Sequence, residues 1–157
     1  MDNKPQGRLD ATTFAAVVHS APLISIDLLV QNEQGEYLLG LRTNRPAQGC
    51  WFVPGGRIQK KETLDAAFLR LTTEELGITL ERSQAVFKGV YEHFYQDSVF
   101  GEQPSTHYIV LAHQLVLPTE KVQLSVQQHD NAQWLKAEDI LADPNVHRYT
   151  KLYFNGL

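Results

Sequence analysis

A chain of 157 residues is enough for one domain with a full core, and 43% apolar with 20% charged residues excludes a disordered polymer. The net charge of −4 excludes the basic face of a duplex-binding domain, and no apolar run approaches the roughly 20 residues of a bilayer span. The single Cys50 excludes an internal disulfide and a cysteine zinc site. Residues 1–10 are polar and lack the apolar core of a secretion signal, so a cytoplasmic chain without nucleic-acid or membrane partners is expected.

In chain order, Asp10 is placed to cap a short first helix that runs through Val18. Residues 22–31, rich in branched side chains, predict a strand, 32–35 a turn and 36–41 the returning strand. Residues 44–49, with Pro46, read as a loop. Residues 51–53 form a short apolar strand that Pro54, Gly55 and Gly56 end in a turn. The clearest helix covers 62–76, where Leu64, Ala67, Phe68 and Leu71 give an i, i+3, i+4, i+7 stripe and Gly77 suits a left-handed cap. Residues 85–95 and 106–116 predict two longer strands around a polar loop at 96–105. A short strand at 133–135 and helices at 137–142 and 145–152 follow. Strands on both sides of one strong helix predict an α+β fold, a mixed central sheet packed between helices, in a single domain over 1–157.

Arg42, Arg45, Arg57, Lys60, Lys61 and Arg70 gather in an otherwise acidic chain. Such a cluster suits a small anionic ligand, the alternative being a solvated basic surface. Glu75 follows Leu71 by four residues, Phe68 by seven and Leu64 by eleven, which puts it on the buried stripe. Glu74 flanks that stripe. Both carboxylates lie in the last helical turn, where the macrodipole disfavours negative charge by about 0.3–1 kcal/mol each. A divalent cation or a set of arginines would compensate them, unless both curl outward into water. Gly55-Gly56 allow a tight turn whose carbonyl is a hard oxygen ligand suited to Mg²⁺. Arg57 and Arg70 suit forked contacts with phosphate oxygens.

At these residues the chain resembles the Nudix hydrolases, whose signature is G-x5-E-x7-R-E-U-x-E-E-x-G-U with U a bulky aliphatic. Here it reads Gly56, Glu62, Arg70, Leu71, Thr72, Glu74, Glu75, Gly77, Ile78, so that seven of nine defined positions agree. The resemblance implies a Nudix-type α/β/α sandwich. Leu71 stands where the signature has a glutamate that helps hold metal or activate water, and it can do neither. Thr72 replaces an aliphatic residue.

The Leu-Thr pair is similar to one branch, the GDP-mannose mannosyl hydrolases. The similarity extends through residues 22–27, 38–49, 51–57, 106–108, 128–130 and 145–147, within 13–154. That branch implies hydrolysis of GDP-mannose, and also GDP-glucose, to GDP and free sugar by water attack at the anomeric carbon with inversion. The implied ligands of Mg²⁺ or Mn²⁺ are the Gly55 carbonyl, Glu75 and Gln128. His129 is implied as general base, a role that suits an unperturbed pKa of about 6.5. Arg42, Arg57 and Tyr108 would bind the diphosphate, and Asp27 and His93 would face the sugar or nucleotide. Arg70 would order the helix through Glu74 at i+4. Arg8, Leu9 and Phe14 match the segment that holds the nucleoside and forms a homodimer. Glu74 departs from the branch and leaves the metal count open.

Without the resemblance, His129 reads as an exposed histidine in a polar loop, and Asp27 as a paired structural acid within a strand. Tyr108 and His93 read as sheet residues with satisfied tips, Trp51 and Phe52 as core. His107, His113 and His147 read as surface or packing residues. Cys50 has no adjacent base and is not a nucleophile. Two other functions fit the signature. One is a Nudix pyrophosphatase that would yield GMP and a sugar phosphate; the other is a nucleotide-sugar binding module without catalysis.

Overall fold

The computed structural model describes residues 5–156. Residues 1–4 and 157 lie outside it, and with them part of the leader reading of residues 1–10 and the ends of the 1–157 domain. The sheet is mixed, as expected. Strand β1 (Leu23–Gln31) runs parallel to β6 (Thr106–Val116) over nine paired positions, and β5 (Val86–Tyr95) joins β6 antiparallel at the edge. The other edge of β1 is shared. At one end it pairs antiparallel with β4 (Gly55–Arg57), and at the other with β2 (Tyr37–Leu41), which in turn carries β3 (Trp51–Phe52) and β7 (Ala132–Leu135).

Alternation along β1 builds both cores, because successive side chains face opposite sides. Ile26, Leu28 and Val30 pack with Phe68, Leu71 and Leu76 of helix α2 (Leu64–Leu76). Leu29 faces the other way and packs with Val110, Ile140, Tyr153 and Phe154. That second layer holds α4 (Ala137–Ala142) and α5 (Arg148–Leu152), so helices cover both faces. Asp27 shares the row of Leu29 and therefore points toward α5 rather than α2. Helix α1 (Ala11–Ser20) starts where expected, with the Asp10 side chain accepting from the Thr13 N–H at 2.9 Å. No described helix is long and apolar enough to cross a membrane.

Four local expectations are corrected. The Pro54–Gly56 turn is instead an entry into β4, because the glycines let this segment lie against β1 as a strand. Helix α2 starts at Leu64 with Thr63 as its cap, and the buried stripe begins one turn later than read: Leu64 is exposed. The last helix is shorter than 145–152, since His147 caps it from outside. The loop around His129 contains a one-turn helix, α3 (Val126–Asp130), made by a reciprocal capping box between Ser125 and Gln128.

The two departures in the signature are explained by packing. Leu71 is fully buried, and its Cδ2 lies 2.5 Å from where a side chain at Gly56 would begin. A glutamate there would put a carboxylate into the core. The buried Thr72 hydroxyl donates to the Leu69 carbonyl at 3.2 Å and accepts from the Leu80 N–H at 3.0 Å, which fastens the chain as it leaves α2. Gly77 ends the helix at φ +69°, donating its N–H to the Thr73 carbonyl. Leu71→Ala is expected to cost about 2–5 kcal/mol in denaturant unfolding, the range for a truncated core leucine. A loss below about 1 kcal/mol would contradict the packing described.

Candidate metal and substrate cleft

The backbone of β4 is the first part of the site. A side chain at Gly55 would collide with the Ile26 carbonyl and, at 2.5 Å, with Asp27 Oδ1, so glycine is what lets β4 approach β1 here. The Leu28 N–H donates to the Pro54 carbonyl and the Ile58 N–H to the Ile24 carbonyl, both at 2.8 Å. Antiparallel ladders alternate bonded and non-bonded pairs, so Gly55 and Arg57 turn their carbonyls away from β1. The Arg57 carbonyl accepts from Arg70 Nη2 at 2.9 Å. The Gly55 carbonyl is left for another partner.

Arg70 is committed to the scaffold. Its guanidinium donates to both oxygens of Glu62, at 2.7 and 2.8 Å, and to Glu74 at 3.2 Å. This fork is the strong form of ion pair, and it holds the Glu62 carboxyl below the usual carboxylate range. Arg70 thus makes the helix-ordering contact with Glu74, and its donors point at protein rather than into the cleft. Glu74 is correspondingly exposed beside Arg70.

Glu75 turns inward. It lines a cleft of about 330 Å³ together with Gly55, Arg42, Gln127, Gln128 and Asn131. Among the described residues no hydrogen bond reaches its carboxylate. Burial, reinforced by the charge of Glu74 and opposed by Arg42, pushes it up to about 6. Gln128 sits across from it: its Oε1 accepts from the Ser125 N–H and its Nε2 donates to the Glu74 carbonyl, both at 3.0 Å. No three His, Cys, Asp or Glu side chains form a metal cluster among the described residues. An unpartnered carboxylate, a free backbone carbonyl and an amide oxygen are nonetheless hard oxygen donors of the kind Mg²⁺ takes while keeping waters. His129 is exposed on α3, makes no side-chain hydrogen bond among the described residues, and lies outside the lining that its neighbours form.

A smaller compartment of about 80 Å³ adjoins this cleft. Arg42, Phe52, Val53 and Gly55 line both. Asp27, Arg57, His93, Tyr95 and Tyr108 line the second alone. Arg42 is fixed between the two by donating to the Pro46 carbonyl at 2.9 Å and by lying 5.6 Å from the Phe52 ring. Burial pushes Asp27 up to about 7, against the Tyr153 hydrogen bond and the charge of Arg42. Burial, with His147 nearby, pulls His93 down to about 4, so it is neutral. Phe14 reaches this region, 4.9 Å from the Arg57 guanidinium. Arg8 is exposed and Leu9 half-buried, and neither lines either compartment.

Sequence reasoning missed the aromatic wall behind this compartment. Tyr95 lies two residues beyond His93 on the same face of β5, and its hydroxyl is 3.3 Å from His93 Nδ1. Tyr149 stacks on His93 at 4.5 Å, and its hydroxyl both donates to the Phe94 carbonyl and accepts from the Phe94 N–H. Tyr153 bonds Asp27 at 2.5 Å. His147, read as a surface or packing residue, stacks on Phe52 at 4.6 Å. The available signal was Tyr149 and Tyr153 four apart on one helical face, and Tyr91, His93 and Tyr95 alternating on a strand.

The NUDIX domain family matches residues 21–155. The chain belongs to the NUDIX family of hydrolases. Such hydrolases typically use a divalent metal such as Mg²⁺. The low-salt glycan biosynthesis protein Agl8 of Haloferax volcanii is 38% identical over 125 residues, covering 80% of this chain and 78% of that protein. The MutT protein of Methanosarcina mazei Go1 superposes with a TM-score of 0.64 at 27% identity, over 86% of this chain and 92% of that one. The MutT NUDIX hydrolase of Burkholderia pseudomallei gives 0.68 at 24% identity, over 88% and 99%, and shows the fold alone.

The cleft of this NUDIX domain predicts a pH-dependent response to metal. The folded pKa of Glu75, about 6, lies above its ordinary 4.5, so the ionised form costs stability above pH 6, and that cost is relieved as pH falls from 6 to 4.5. A cation binds the ionised form. Millimolar Mg²⁺ is therefore expected to raise Tm at about pH 7.5 and to raise it far less at about pH 5. Glu75→Gln should remove the rise at both. An equal rise in that variant would exclude Glu75 as a ligand.

Proposed function

We propose that this NUDIX domain hydrolyses GDP-mannose, and GDP-glucose as a second substrate, to GDP and the free sugar. The observation that carries the reading is the division of the site by Arg42. One side offers oxygen donors for a cation beside a diphosphate. The other offers the oxygens of Asp27, Tyr95 and Tyr108, suited to sugar hydroxyls, beside the His93 ring. The helix supplies one inward carboxylate, Glu75, and the position that would supply another is the core residue Leu71. That supports displacement at carbon over attack at phosphorus, which in this family draws on more acids. The glycan-biosynthesis role named for the Haloferax relative is in keeping with a nucleotide-sugar substrate.

In this reading the Gly55 carbonyl, Glu75 and Gln128 hold Mg²⁺ or Mn²⁺. When bound, the cation supplies neutralisation of the diphosphate leaving group. Arg42, Arg57 and Tyr108 donate to diphosphate oxygens as the anomeric C–O bond breaks. His129 takes a proton from the water that attacks the anomeric carbon, and inversion follows from attack opposite the departing GDP. To do so, α3 must bring His129 from its exposed position toward the cleft. Asp27 orients the sugar, and His93 faces it with its ring, both of its nitrogens being bonded to Tyr95 and Tyr153. By the same resemblance the chain works as a cytoplasmic homodimer, with Arg8, Leu9 and Phe14 serving the nucleoside.

Hydrolysis of GDP-mannose with Mg²⁺ in ¹⁸O-water is expected to put label in free mannose. Label in a phosphate product, with GMP formed, would establish pyrophosphatase chemistry instead, and no turnover would leave a binding module. His129→Gln is expected to lower kcat by about 10²–10⁴-fold with the fold intact by circular dichroism. Unchanged turnover would remove His129 from the mechanism.

A further inference from the structure

Asp27 and His93 reach the compartment, but what holds them lies behind it. Tyr153 is buried and does not line the compartment. Its hydroxyl is 2.5 Å from Asp27 Oδ2 and 3.3 Å from His93 Nε2. On the far side of the imidazole, the Tyr95 hydroxyl is 3.3 Å from Nδ1.

Proton counting gives this chain a direction. A phenol carries one proton, and above pH 7, where Asp27 is ionised, its carboxylate only accepts. The Tyr153 proton therefore points at Asp27, and its oxygen is left to accept from His93. A neutral imidazole has a single N–H, so Nε2 carries it and Nδ1 is bare. The Tyr95 hydroxyl then donates to Nδ1. Every donor finds one acceptor, in the order Tyr95, His93, Tyr153, Asp27. The rings are pinned as well: Tyr149 stacks on His93 at an interplanar angle of 8°, and Tyr91 meets Tyr153 edge-on at 4.7 Å.

We propose that Tyr153 is a positioning residue of the site, whose hydroxyl aims the Asp27 carboxylate and fixes His93 as its Nε2–H tautomer. Asp27 Oδ2 is spent on this bond, which leaves Oδ1, beside Gly55, as the oxygen toward the cleft. The catalytic consequence rests on the reading that Asp27, steadied beside His93, orients a nucleotide sugar; the tautomer does not.

Long-range ¹H–¹⁵N spectra of the ¹⁵N-labelled full chain at about pH 8.5, with His93 assigned through His93→Gln, test the proposal. The wild-type protein should show His93 with the proton on Nε2. Tyr153→Phe keeps the ring and its packing but removes the acceptor, and should move the His93 nitrogens toward a tautomer mixture. Tyr149→Phe, on the same helix and stacked on the same imidazole, should leave the tautomer unchanged. On GDP-mannose, Tyr153→Phe should lower kcat about tenfold while KM changes less than about twofold. An Nδ1–H imidazole in the wild type would overturn the proposal. So would His93 nitrogens unmoved in Tyr153→Phe, whatever happens to kcat. Absence of any turnover would overturn the proposed function, and the nitrogen shifts would still decide the role of Tyr153.

Discussion

The fork between Arg70 and Glu62 is the contact on which the site depends. Glu62 precedes the cap of α2 and Arg70 lies midway along it, so their ion pair folds the loop back onto the helix. The same guanidinium takes the Arg57 carbonyl, which sets β4 against α2. Since carbonyls alternate along a strand, fixing that of Arg57 also fixes where the one of Gly55 points. An interaction outside the cleft lining thereby orients a backbone oxygen of a residue that lines the cleft. The energy of such a fork comes from its two parallel charge-assisted bonds and its partial shelter from water.

The electrostatics of the cleft follow from its packing. Glu75 and Asp27 are both raised by burial, one on each side of Arg42, and Arg42 lowers both. One guanidinium is shared by two carboxylates that would each otherwise favour protonation. Arg42 itself is held by the Pro46 carbonyl and the Phe52 ring. This arrangement keeps two acids apart and gives them different neighbours. Glu75 has oxygen donors beside it, whereas Asp27 has aromatic hydroxyls and a neutral imidazole.

Long elements were legible in the sequence because periodicity does not depend on partners. Helix α2, both long strands and the Asp10 cap are cases of this, and Glu75 was placed on an inward face by counting turns. Features made by tertiary contact were not legible. Gly55 and Gly56 have turn propensity, and only their close approach to β1 makes them a strand. Helix α3 has one turn and no stripe, although Ser125 and Gln128 spell a capping box. Arg70 could be read as a phosphate ligand because its pairing with Glu62 crosses the helix start. Tyr153 lies 126 residues from Asp27, and no local pattern announces a bond over that distance. The roles assigned to His129 and Gln128 come from resemblance alone: Gln128 sits in the cleft, whereas His129 faces solvent.

Tyr149 has a consequence at the rim of the sheet. Strand β5 is an edge, and edges offer unpaired N–H and C=O groups to any passing strand. At Phe94 one phenol hydroxyl occupies both groups, so a foreign strand seeking to extend the sheet there meets a position already filled. The residue that braces the imidazole thus also closes the border of the sheet beside the exposed ring of Phe94.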